Sequence, residues 1–111
     1  MQVRFSDEGE RLVARPEGRM DASDGSAFAS AVEARLQPAT KSLSIDLEAL
    51  EFLSLGGIRA ILRLGRSLKD TGRELDFVHG SDPVREAMHQ AGMNSFFPFE
   101  PPYHPHRGTP T

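Results

Sequence analysis

An α/β fold on a mixed, mostly parallel sheet of four to five strands is predicted for this 111-residue chain, and three observations predict it. Short segments of alternating apolar and polar residues trade places with segments whose apolar residues recur every three or four positions, the pattern of strands interleaved with helices. The central transition, around Leu43 to Leu68, passes from strand to helix through the adjacent glycines Gly56 and Gly57. The length suits a single core, and the absence of cysteine excludes a disulfide framework, a thiolate metal site and thiol catalysis.

The first element is a hairpin: Gln2 to Phe5 and Arg11 to Arg15 have the apolar content of strands, and the polar turn Ser6 to Glu10 joins them. Pro16 and Gly18 are expected to end it. A polar helix start follows at Ala22 to Ser26. Phe28, Val32 and Leu36 then recur every four residues, with Ala31 beside them, so the spacing predicts a helix that Pro38 stops. Leu43, Ile45 and Leu47 alternate with Ser42, Ser44 and Asp46 in the next strand. The helix it feeds places Ile58, Ile61, Leu62, Gly65 and Leu68 on one face and Arg59, Arg63 and Arg66 on another, and Gly72 closes it. Glu74 to His79 reads as a strand. Ser81 or Asp82 caps the following helix with Pro83 at its first position, where a missing N–H is harmless. Val84, Ala87, Met88 and Ala91 make its apolar stripe, and Met93 to Phe99 is the candidate for a last short strand. Residues 1–100 therefore read as one domain. Residues 101–111 read as a Pro-rich tail, extended or disordered for want of apolar side chains.

Three stretches then carry a resemblance to a known family. Asp46-Leu-Glu-Ala-Leu-Glu-Phe-Leu-Ser-Leu-Gly-Gly-Ile58 runs from strand through turn into helix, Gly18-Arg19-Met20-Asp21 follows the second strand, and Pro83 to Phe97 supplies a characteristic ending. Over about Arg11 to Phe97 the chain resembles the STAS domain, shared by sulfate transporters and anti-sigma factor antagonists, and the resemblance implies the STAS-type α/β fold. In the antagonists the turn usually reads Asp-Ser-Ser-Gly or Ser-Ser-Ala-Gly, and the serine after the opening residue is phosphorylated by a partner kinase. Here Ser54 takes the opening position, Leu55 the acceptor position, and Gly57 the closing glycine.

The resemblance implies a non-enzymatic binding module that docks through this turn and helix. Its partner-binding residues would be Asp21, Ser54, Leu55, Gly56, Gly57, Ile58, Arg59, Leu62, Arg63 and Arg66. The implied partner is an anti-sigma factor of the serine-kinase type; because Leu55 cannot accept phosphate, the chain would either bind it constitutively or answer to another signal. Two alternatives stand beside it. One is a STAS subunit of a lipid-transport ATPase complex, and the other is a small-ligand or nucleotide sensor with its crevice near Asp21 and Ser54.

The residues read on their own give a plainer account of the same positions. Ser54 is the nearest hydroxyl to the acceptor position, but serine is a preferred N-cap. Gly56-Gly57 lacks the Gly-Lys-Ser/Thr ending of a phosphate loop and reads as a tight helix-to-sheet approach. The arginine row reads either as a solvated face or as a surface that steers an acidic partner. Asp21, Asp24 and Asp46 have no histidine or second acid at helical ligand spacing, so no metal site is expected. His79 and His89 read as surface or capping residues, and His104 and His106 fall in the tail. No nucleophile–base or paired-carboxylate arrangement emerges, so neither catalysis nor a cofactor is expected. A net charge of −3 with interspersed signs gives no attraction for nucleic acid or an anionic membrane. No apolar run reaches membrane-span length, and Met1 to Glu8 lacks signal-peptide character, so a cytoplasmic protein is expected, with homodimerisation left open.

Overall fold

The computed structural model describes residues 1–102. The tail beyond Pro102, with His104 and His106, lies outside the described residues. Six strands form the sheet: β1 (Gln2–Glu8), β2 (Arg11–Met20), β3 (Ser42–Asp46), β4 (Leu50–Leu53), β5 (Glu74–Val78) and β6 (Phe99–Glu100). Three helices accompany them: α1 (Ala22–Arg35), α2 (Leu55–Asp70) and α3 (Asp82–Gln90). The strand order is β1-β2-β3-β5-β6, with β4 paired to the far end of β2, and every pairing except β1 with β2 is parallel.

Because the parallel strands step across the sheet in one direction, right-handed crossovers place all the helices on one face. Register aligns the core on that face. Leu12, Leu43 and Leu75 lie abreast, and Ala14, Ile45, Phe77 and Phe99 form the next row. Phe28 and Val32 of α1, and Ile58, Ile61, Leu64 and Leu68 of α2, close over them. The opposite face is polar, with Arg11, Val13, Ser42, Ser44, Glu74 and Asp76 in register, and Ser44 Oγ donates to Asp76 Oδ1.

Several boundaries differ from the sequence expectation. The hairpin strands run on to a two-residue loop at Gly9-Glu10, since Gly9 adopts φ 75° and lets the polar residues Ser6 to Glu8 stay in the ladder. Pro16 does not end β2. On the side facing β3 and β4 it falls between Ala14, the last partner of β3, and Gly18, the first partner of β4, so no parallel neighbour needs its missing N–H. The run from Ser42 to Leu53 is two strands, because Leu47 to Ala49 turn with Leu50 N–H donating to the Leu47 carbonyl; this gives the sheet its sixth strand. Met93–Ser95 is a 3-10 turn, and only Phe99–Glu100 pairs with β5.

Helix ends follow local chemistry. Asp21 caps α1 through a capping box: its carboxylate accepts the N–H of Asp24, whose own carboxylate accepts the N–H of Asp21. Past the end of α2, Gly72 at φ 77° lets its own N–H reach the Lys69 carbonyl and that of Arg73 reach Leu68. Ser81 is the cap of α3, accepting from Val84 N–H, with Asp82 as the first helical residue and Pro83 as the second. Arg85 is buried at 8 % exposure, with its guanidinium over the Phe99 ring and donating to the Pro101 carbonyl.

Candidate functional site

The turn between β4 and α2 is held from both sides. Ser54 N–H donates to the Met20 carbonyl at 2.9 Å, fastening the turn to the end of β2, and Ser54 Oγ accepts from Gly57 N–H at 3.1 Å. The serine is therefore the N-cap of α2 and is half-buried. A Cβ on Gly56 would stand 2.6 Å from Ala22 Cβ, and one on Gly57 would stand 2.9 Å from both the Met20 carbonyl oxygen and Leu53 Cδ1. Gly57 is required by crowding, not by positive φ, because the first turn of α2 lies directly on β2. Asp21, at the opposite end of that contact, is exposed and caps α1 next to Ala22.

Leu55, the first residue of α2, is 55 % exposed. It borders a shallow groove of about 320 Å³ between α2 and α3, lined also by Leu53, Ile58, Ala87, Gln90 and Ala91. Phe52, 40 % exposed on neighbouring β4, has Arg19 over its ring at 4.3 Å. Neither Phe52 nor the α3 residues of the groove stood out in the sequence, since β4 merged into the preceding strand and Ala87 read as core.

Arg59, Arg63 and Arg66 follow Leu55 along α2 at intervals of four, four and three residues, so all lie on one exposed side of the helix. Among the described residues the other arginines are all engaged. Arg4, Arg11 and Arg15 form ion pairs, Arg19, Arg35 and Arg85 lie over aromatic rings, and Arg73 donates to the carbonyls of Thr40 and Gln37. Arg59, Arg63 and Arg66 have no ion pair, hydrogen bond or ring contact within the described residues. Leu62 is half-buried beside them. Ile58 is only 4 % exposed and belongs to the core.

Away from this surface the fold assembles a cluster that spacing along the chain concealed. Asp46, Glu48 and His79 each offer one ligand atom, all within 4.8 Å of one another, and Arg15 approaches both carboxylates. The small-ligand alternative places its crevice near Asp21 and Ser54. A cleft of about 650 Å³ lies elsewhere, at the N-terminal ends of β3 and β5, between Ser42, Lys69, Arg73, Leu75, Phe96 and Pro98. No helix of the described residues is long and apolar enough to cross a membrane.

A family model described as "Mlab, STAS domain" matches residues 2–98. Nothing among the curated proteins matches significantly. Solved structures share the fold. An anti-sigma factor antagonist from Mycobacterium paratuberculosis is 23% identical with a TM-score of 0.76, covering 88% of this chain and 83% of its own. The phosphorylated Bacillus cell fate determinant SpoIIAA is 17% identical with a TM-score of 0.68, covering 88% of this chain and 90% of its own. A SulP transporter STAS domain from Vibrio cholerae is 19% identical with a TM-score of 0.69, covering 90% of this chain and 77% of its own.

Proposed function

The chain belongs to the STAS domain family, and on that premise we propose that it is a non-enzymatic regulator that binds a partner protein through the surface from Ser54 to Arg66. In this reading Leu55 is the apolar centre of the contact, Arg59, Arg63 and Arg66 are its basic rim, and Asp21 with Gly56 and Gly57 fixes the turn. The observation that carries it is the unengaged arginine row beside an exposed leucine. Three cations on one helix side that form no ion pair among the described residues favour a partner with an acidic surface, and such a rim raises the rate of encounter. An apolar centre excluding water holds the complex once formed. The partner is an anti-sigma factor of the serine-kinase type, met in the bacterial cytoplasm, and Leu55 makes the contact independent of phosphorylation at the usual position.

A second reading keeps the surface and changes the partner to the ATPase subunit of a lipid-transport complex. Two observations favour it: Leu55 offers no hydroxyl for a switch, and the matching family description is that of Mlab, not of an antagonist. Capture with the full chain as bait and Leu55→Asp as control, followed by mass spectrometry, separates them. A kinase-fold protein retained by the wild type alone supports the first reading and an ATP-binding cassette subunit the second. Equal recovery on both baits overturns the docking surface.

A further inference from the structure

The geometry points to a binding site for a divalent transition cation of the zinc type, which we propose is held by Asp46, Glu48 and His79 where β3 and β5 end. The three come from separate places in the chain: the last residue of β3, the turn toward β4, and the residue after β5. Their donor atoms converge within 4.8 Å, and His79 Nδ1 stands 3.0 Å from Asp46 Oδ1. Two ligands bound to one tetrahedral zinc at its usual bond lengths are about 3.4 Å apart, so His79 and Asp46 need part by only a few tenths of an ångström, while the exposed Glu48 side chain swings in to complete the set.

The surroundings suit such an ion. Asp46 is the fixed member, 14% exposed, with Glu48 N–H donating to its Oδ1 at 3.0 Å. Arg15 approaches from the other carboxylate oxygen, 4.0 Å from Asp46 Oδ2 and 3.5 Å from Glu48 Oε1. Two carboxylates against one guanidinium leave the cluster negative when His79 is neutral. Glu48 and His79 are largely exposed, so both can adjust to the ion and water can bond the proton left on His79 Nε2. A cleft of about 360 Å³ on the polar sheet face has Asp46 and His79 in its wall, together with Ser44, Val78 and Glu100, which leaves room for a water as fourth ligand. One imidazole with two carboxylates favours zinc over calcium or magnesium, which take oxygen ligands in larger number. A bound ion would tie the β3–β4 turn to the segment that leads into α3.

The test is titration of the full chain with Zn²⁺ alone by calorimetry, and with Co²⁺ by visible absorption. One saturable equivalent and a cobalt band from nitrogen and oxygen ligation are expected. His79→Ala and Asp46→Asn should each weaken binding at least tenfold, since even losses behind the ligand shell reach that size. The double variant His104→Ala/His106→Ala should bind as the wild type does. Unchanged affinity in His79→Ala, whose exposed side chain can be removed without harm to the core, overturns the proposal. So does loss of binding in the double variant, or a wild type that fails to saturate below millimolar zinc, in which case the cluster is an ion-pair network around Arg15.

Discussion

Gly57 and Met20 meet so closely that a single added carbon on the glycine would lie 2.9 Å from the methionine carbonyl oxygen. That oxygen already accepts the Ser54 N–H, so it cannot retreat without opening the turn. Gly57→Val should therefore destabilise the domain by about 1 to 3 kcal/mol, through clash with backbone and not through φ. A thermal melt identical to wild type would show that α2 does not rest on β2 as described.

Leu55 is exposed and supports no core contact of consequence, so its replacement reports on binding and not on folding. Leu55→Asp puts an unpaired charge in the centre of the proposed contact. It should weaken association by about 2 kcal/mol or more with the melting temperature and circular dichroism unchanged. Arg63→Glu should instead slow association and alter its salt dependence. Equal titration curves for Leu55→Asp and wild type would move the docking surface elsewhere.

The Ser54 hydroxyl oxygen is engaged as a helix cap, and the residue after it has no hydroxyl at all. Incubation with a cognate kinase and ATP should leave the intact mass unshifted, whereas Leu55→Ser should gain one phosphate. Stoichiometric phosphate on Ser54 in the wild type would restore a switch at this turn.

Asp21 should make stability depend on acid. The Asp24 N–H bonded to its carboxylate, helped by the other donors of the cap, holds its pKa below the ordinary 3.8. A folded value below the unfolded one means the contribution is present in full above the unfolded value and is lost as pH falls through the folded value. Asp21→Asn should therefore melt below wild type at neutral pH, and the gap should shrink as the medium is acidified past 3.8. A constant gap across that range would assign the effect to something other than this carboxylate.

Much of the architecture was legible because periodicity tracks burial: Leu43, Ile45, Leu75 and Phe77 alternate in strands, and Ile58, Ile61 and Leu68 repeat at helical spacing. The turn at Ser54 was legible because capping and glycine chemistry act within a few residues. What depends on registry between distant strands was not. Pro16 is tolerated only because β3 ends before it and β4 begins after it, which no local rule encodes. The meeting of His79 with Asp46 spans a helix and two strands, so spacing along the chain gave no sign of it. Arg85 is charged yet buried, because the ring that receives it belongs to β6 and the carbonyl to Pro101 just after β6, both distant in sequence. The groove residues of α3 became visible only once α2 lay beside them.

The sheet has all its helices on one side, and the arginine row points away from the strands altogether. A protein clasping α2 would therefore leave the polar rows around Ser44 and Asp76 untouched, on the reverse of the molecule. Substitutions on that reverse side can be made and measured without disturbing the clasp. The domain behaves like a coin, on which one side can be struck afresh while the other keeps its impression.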